Sequence, residues 1–300
     1  RNPAVFEPSP AVAKIQPSLN HWASVKKIDA NLVTLELFFQ EHQQGPFDCA
    51  RALQFTRSKA KEWNLDKTKV ALAGGSAGAC TSLWLAFHDD LADPQSADPI
   101  ARESTRVTCA AVGGAQTTLD PHQMRAWTPN SKYGAHAFGI VWDPKKKTST
   151  FDVFLAERER ILPWIKQYSP YELVTRDDPP VGLFYTTPPN LGKDEKDPTH
   201  TANFGVKLKE HCDANQVRCE LVYPGAPNVV HATDMDFIKA RLRPELSEAL
   251  RALLSALAFA AEPKVTAKRP SAAETRASAM KLAIDIPSSK DGSLQKVIYW

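Results

Sequence analysis

The stretch Val70-Ala71-Leu72-Ala73-Gly74-Gly75-Ser76-Ala77-Gly78 decides the fold of this 300-residue chain. Its first four residues form a short apolar run that is typical of a buried strand, and residues 79–87 after it have helical character. The segment 74–78 fits the pattern G-x-S-x-G, in which a strained turn between strand and helix exposes a serine hydroxyl. We predict that Ser76 is a nucleophile and that the Ala77 amide, at the helix N-terminus, stabilises a developing oxyanion.

Strands and helices alternate along most of the chain. Apolar or alternating patterns predict strands at residues 31–39, 107–112, 181–185 and 219–223. Helical segments are predicted at residues 48–63 with Asp48 as the N-cap, at 152–167, at 202–211, and at 233–259 with a break at Arg243-Pro244. This alternation predicts an α/β fold with a mostly parallel sheet flanked by helices.

Composition excludes several classes of protein. The net charge is only +3, with basic and acidic residues interspersed, so we expect no nucleic-acid-binding face. No run approaches the roughly 20 apolar residues of a membrane helix, and no C-x-x-C pair indicates a metal site. The chain begins without Met, so its compartment stays open; if it is exported, Cys212 and Cys219, which flank a short turn, could form a disulfide. The oligomeric state is equally open.

The general base is predicted from chain order. After a serine nucleophile in such a turn, the acid comes next in sequence and the histidine last. Of the eight histidines, His231 fits best, since it follows the strand at 219–223 through a Pro-Gly loop and precedes the last long helix. His200, like several other histidines, is interpreted as a surface or helix residue.

The acid is expected in the loop between the strand at 181–185 and the helix near residue 202. Asp194, Glu195 and Asp197 are the candidates there. Asp197 is favoured because Pro198 follows it and makes the turn short and rigid, and Asp194 is the second choice.

With these residues in place, the chain resembles the α/β-hydrolase carboxylesterases, especially the acetyl-xylan-esterase-like group of bacteria that degrade carbohydrates. The similarity covers roughly residues 47–260 and lies in the segments 50–55 with 61–64, 74–79, 169–170 with 178–180, and 223–225 leading to His231. The resemblance implies hydrolysis of a short acyl ester, such as acetyl, on a sugar or other small alcohol. It implies roles as nucleophile, base and acid for Ser76, His231 and Asp197, and it implies neither metal nor organic cofactor.

The N-terminal part departs from this family. The family builds half of its oxyanion hole from a His-Gly-Gly loop before the nucleophile, whereas Gly45 is the only glycine in residues 1–73. Residues 1–46 are therefore expected to be divergent or truncated. Two alternatives to the esterase stay open: an amidase of the arylformamidase type, which shares Gly-x-Ser-Ala-Gly, and a hydrolase-fold domain that is catalytically impaired.

The composition changes near residue 261. We expect a hydrolase domain at residues 1–261 and a charged, Ala-rich linker at 262–278. Residues 279–300 read as the start of a truncated second module, because two strand-like segments end the chain there.

Overall fold

Helices cover both faces of a mostly parallel sheet in the computed structural model, which describes residues 23–29, 32–37, 45–140, 145, 148–243 and 294–299. The strands are β1 (Ala23–Asp29), β2 (Leu32–Leu37), β3 (Leu65–Gly75), β4 (Cys109–Gly113), β5 (Val181–Phe184), β6 (Cys219–Val222) and β7 (Leu294–Tyr299). Their order in the sheet is β1-β2-β7-β3-β4-β5-β6, and only the β1–β2 pair is antiparallel. The predicted α/β fold class, a mostly parallel sheet flanked by helices, is confirmed.

The described helices lie between these strands in the chain. They are α1 (Gly45–Ser58), α2 (Ala60–Trp63), α3 (Ala77–Phe87), α4 (Pro121–Trp127), α5 (Thr150–Ala156), α6 (Arg158–Tyr168), α7 (Pro170–Leu173), α8 (Ala202–Ala214) and α9 (Asp234–Leu242), with a 3₁₀ turn at Ala135–Phe138. None of the helices in these parts of the chain is long and apolar enough to span a membrane.

Strand β3 carries the centre of the core because it is buried on both faces. Successive side chains of a strand point to opposite sides, so Val70 and Leu72 contribute to one apolar cluster while Ala71 and Ala73 contribute to another. The first cluster includes Trp84 of α3, which is 1% exposed and donates its indole N–H to the Gln167 carbonyl at 2.9 Å. Burying one large apolar side chain contributes about 1.5–3 kcal/mol, so β3 and α3 are firmly held on either side of the turn that joins them.

Two predicted helices differ from the observed ones at their ends or in their interior. The segment predicted from Asp48 begins at Gly45, which puts Asp48 in the first turn, and it is divided into α1 and α2 near Lys59. The segment predicted at 152–167 is divided at Glu157 into α5 and α6. Four consecutive polar residues lie at each break, at 56–59 and at 157–160. One polar turn is also compatible with an uninterrupted helix, so the pattern alone could not reveal the break.

The chain divides into two units, residues 1–242 with 294–300, and residues 243–293. Apart from Arg243, the second unit lies outside the described residues, as do the predicted helix beyond that residue and the boundaries at 261 and 278. Strand β7 comes from the stretch predicted to begin a second module, and it lies in this sheet between β2 and β3. The domain boundaries stay predictions. Cys212 and Cys219 are buried free thiols, so the disulfide considered for them is not formed here.

Candidate active site

Ser76 occupies the sharp turn between β3 and α3. Its backbone has φ 54° and ψ −118°, a conformation that residues other than glycine rarely adopt. The turn is fixed by a hydrogen bond from the Ser76 amide to the Gly113 carbonyl of β4 at 3.0 Å. The first amides of a helix lack acceptors within it, and Ala77 is the first residue of α3. The role of its amide as an oxyanion donor stays a prediction.

His200 is the histidine that the structure places beside Ser76. The Ser76 hydroxyl lies 2.8 Å from His200 Nε2, and His200 Nδ1 lies 2.8 Å from Asp197 Oδ2. An ionised carboxylate only accepts hydrogen bonds, so Nδ1–H donates to Asp197 and Nε2 is left to accept from the serine. The three side chains thus form a continuous chain of hydrogen bonds of the kind that activates a serine.

Asp197 is held by its own turn as well as by the imidazole. Its second oxygen, Oδ1, accepts hydrogen bonds from the amides of Thr199 at 3.1 Å and His200 at 3.3 Å. Partial burial acts to raise the pKa of Asp197, but the hydrogen bonds from His200 and Thr199 outweigh it and keep that pKa below its usual value. The acid is therefore ionised at neutral pH. Thr201 accepts from the Asn203 amide and caps α8 directly after the turn.

The end of β4 makes room for the imidazole. Gly114 has φ +57°, a conformation that favours glycine. A Cβ atom at this position would lie 3.4 Å from His200 Cβ. Gly114 therefore allows both the turn of the main chain after β4 and the close packing of His200 beside the turn that carries Ser76.

His231 forms a different pair. It is 9% exposed, its Nδ1 lies 2.8 Å from Glu220 Oε2 of β6, and its ring packs edge-on against Phe237 of α9 at 5.6 Å. Among the described residues, no hydrogen bond joins it to Ser76 or Asp197. The structure therefore differs from the sequence interpretation in the histidine that it places at Ser76, and the role of His231 as base stays a prediction.

The other two candidates for the acid, Asp194 and Glu195, form no hydrogen bond to His200 among the described residues. Asp194 is exposed, and Glu195 pairs through its main chain with the Asn130 side chain, at 2.8 and 3.1 Å. His200 is the residue at this site that the sequence interpretation does not select, because its position is equally typical of a surface or helix residue. Its signal was the spacing from Asp197: three residues across Pro198 form a turn that can fold an imidazole back onto a carboxylate.

In the stretches of chain that the structure describes, no group of three or more His, Cys, Asp or Glu side chains is placed to hold a metal ion. The reactive groups gathered at Ser76 are a hydroxyl, an imidazole, a carboxylate and helix-terminal amides, which together suit acyl transfer.

Solved structures of similar proteins include several bacterial esterases. An acetyl ester-xyloside bifunctional hydrolase from Caldicellulosiruptor lactoaceticus is 19% identical, with 74% of this chain and 71% of that chain covered and a TM-score of 0.46. A truncated carbohydrate esterase from gut microbiota is 15% identical, with coverages of 70% and 74% and a TM-score of 0.48. Native Est2, a thermophilic esterase from the Planctomycetes species Thermogutta terrifontis, is 20% identical, with coverages of 85% and 79% and a TM-score of 0.43. No curated protein matches the chain.

A family model gives the assignment. The BD-FAE model matches residues 39–191, which is just over half of the chain and includes the turn between β3 and α3 that carries Ser76. The match ends before Asp197, so it does not assign the acid or the base. The chain belongs to the BD-FAE family, an esterase family of the α/β-hydrolase type, and is a carboxylic ester hydrolase.

Proposed function

We propose that this chain hydrolyses small-molecule esters through an acyl-enzyme on Ser76, with His200 as the general base and Asp197 as the acid that orients it. The observation that carries the proposal is the unbroken chain of hydrogen bonds from the serine hydroxyl through the imidazole to the carboxylate, at 2.8 Å for each link. A serine hydroxyl is a weak nucleophile, and a base at this distance is what it needs to react.

The reaction proceeds in two halves. Ser76 Oγ attacks the ester carbonyl while His200 Nε2 takes its proton, and the carbonyl oxygen becomes an oxyanion that the Ala77 amide stabilises. Collapse of this intermediate breaks the bond to the alcohol, and the imidazolium returns the proton to the departing oxygen. Water, deprotonated by His200, then attacks the acyl carbon. Collapse of this second intermediate breaks the bond to Ser76 Oγ, which regains its proton from the imidazolium, and releases the carboxylic acid. Asp197 stabilises the imidazolium in both halves.

We propose a short acyl group, such as acetyl, on a carbohydrate or other small alcohol as the substrate. Support comes from the resemblance to acetyl-xylan-esterase-like enzymes that the segments around Ser76 carry. An N-formyl arylamide is the competing substrate, since related amidases share the Gly-x-Ser-Ala-Gly pattern. Parallel assays with p-nitrophenyl acetate, an acetylated xylo-oligosaccharide and N-formylkynurenine separate the two: ester cleavage exceeding amide cleavage is expected, and the reverse would overturn the ester proposal.

Three alanine variants test the residues. In Ser76→Ala we expect neither turnover nor labelling by a fluorophosphonate probe, and in His200→Ala we expect kcat to fall by about 10³-fold or more, as removing a triad member does. His122→Ala is the matched control, because His122 is an exposed histidine of α4 and should change kcat little. The assay is steady-state hydrolysis of p-nitrophenyl acetate.

His231→Ala decides between the two histidines. We expect it to lower the melting temperature, since it leaves Glu220 without its imidazole partner, and to keep kcat within about tenfold. If His231→Ala abolishes turnover while His200→Ala stays close to wild type, the base is His231 and the proposed pairing is wrong. If Ser76 does not react with the probe in the folded wild-type protein, the chain is an impaired member of its family.

A further inference from the structure

A buried glutamine connects the end of β4 to the turn that carries the acid and the base. Gln116 is 3% exposed. Its Nε2 donates to the Thr199 carbonyl at 2.8 Å and to the Gly114 carbonyl at 3.2 Å. Both acceptors are carbonyl oxygens, so only the amide nitrogen of the side chain can face them. Gln116 thereby links the end of β4 to a residue that lies 83 positions later in the sequence.

The peptide unit between Thr199 and His200 is consequently held at both of its polar ends. Its N–H donates to Asp197 Oδ1 at 3.3 Å, and its C=O accepts from Gln116. Fixing both ends sets the plane of the peptide, and this plane determines the direction in which the His200 side chain leaves the main chain. Asp197 alone controls one end of the unit; the other end depends on Gln116.

We infer that Gln116 is a positioning residue for the reaction, acting through the Thr199 carbonyl to keep His200 Nε2 in line with Ser76. The inference rests on the proposed function, because it takes His200 as the base. A displacement of about 1 Å from productive geometry can lower a rate by about 10²-fold. Gln116 therefore controls kcat without touching the substrate.

The chain offers a matched control in Gln54 of α1. Gln54 is 5% exposed, and its Nε2 also donates to main-chain carbonyls, those of Leu91, Ala101 and Glu103 at 3.3, 3.2 and 2.9 Å. Both glutamines are buried, and in both the side-chain Nε2 donates hydrogen bonds to main-chain carbonyls. They differ in that only Gln116 holds the turn of the proposed base.

The test compares Gln116→Met with Gln54→Met, since methionine has a similar length and cannot donate to carbonyls. We expect Gln116→Met to lower kcat for p-nitrophenyl acetate by about tenfold to a hundredfold, with KM within twofold, and to slow fluorophosphonate labelling of Ser76 by a similar factor. Gln54→Met should lower the melting temperature and keep kcat within twofold. A merely structural role for Gln116 would affect both variants alike.

A folded Gln116→Met with kcat within twofold of wild type, or an equal loss of kcat in both variants, would overturn the inference. Should Gln116→Met be unfolded at the assay temperature, Gln116→Asn takes its place, since a side chain that is one methylene shorter does not reach the Thr199 carbonyl and the same loss of kcat is expected. The proposed function fails separately: if His200→Ala retains full turnover, the base is misassigned, whereas an inactive His200→Ala beside an unaffected Gln116→Met removes only the positioning role.

Discussion

Replacing Asp197 with asparagine is the sharpest test of the triad, because it changes one atom and the charge. The asparagine oxygen can still accept from the Thr199 and His200 amides, as Oδ1 does now. Its NH₂ group then faces Nδ1, where Oδ2 lies 2.8 Å away at present. Two donors cannot share that contact, so the imidazole is driven to the tautomer that carries its proton on Nε2. That tautomer cannot take the proton of Ser76.

The exposure of the acid sets the size of the effect. In a buried triad the same substitution lowers kcat by about 10⁴-fold, but 62% of the Asp197 side chain is exposed, so water can partly replace it. The loss of one charge-assisted hydrogen bond, about 1.5–3 kcal/mol, corresponds to about 10- to 150-fold. We therefore expect kcat to fall by about 10²-fold with KM nearly unchanged, measured with p-nitrophenyl acetate.

Asp194→Asn is the control for this substitution. It makes the same change of charge three residues earlier on an exposed side chain of the same loop. Its kcat should stay within twofold of wild type. If Asp197→Asn retains kcat within threefold, or if both variants lose activity equally, Asp197 does not orient the base.

Three further substitutions probe the packing and the buried charge of the fold. Gly114→Ala places a methyl group at φ +57° and 3.4 Å from His200 Cβ, so kcat should fall about tenfold and stability by about 1–2 kcal/mol, measured by assay and urea titration. Gly205→Ala brings a Cβ into overlap with Tyr185 Cε2 in the core, and overpacking should cost about 1–3 kcal/mol of unfolding free energy, while an unchanged urea midpoint would contradict this packing. Burial raises the pKa of Asp178 to about 6, so the folded state binds its proton more tightly than the unfolded state does. The contribution of this carboxyl to stability therefore decreases as pH rises from about 4 to about 6, and Asp178→Asn should remove that slope from melting temperatures measured across the interval.

Much of the fold could be predicted from local patterns. The apolar run 70–73, the glycines around Ser76 and the strand at 181–185 are local signals, and the structure places strands and turn there. The position of β7 in the sheet could not be predicted from local patterns. Its pattern predicts a strand, but pairing with β2 and β3 is a contact between residues more than 200 positions apart, which no local period encodes.

The site was predictable to the extent that chain order determines it. Ser76 follows from the turn that glycines permit, and Asp197 follows from the loop after β5. The base could not be chosen in this way, because His200 and His231 both come after the acid in the chain. Choosing between them requires side-chain directions, which depend on the peptide held by Gln116 and on the space beside Gly114.

The two histidine–carboxylate pairs differ in what surrounds the carboxylate. Glu220 accepts from His231 and also from Arg241 and Arg218, at 2.9 and 3.3 Å, so its charge is already opposed by two guanidinium groups. A carboxylate neutralised in this way stabilises a neighbouring imidazolium less than one that is bonded only by neutral donors. Asp197 has the latter surroundings, with two amides on Oδ1 and the imidazole on Oδ2. Since the base must carry a positive charge in the transition state, this difference favours His200 independently of its distance from Ser76.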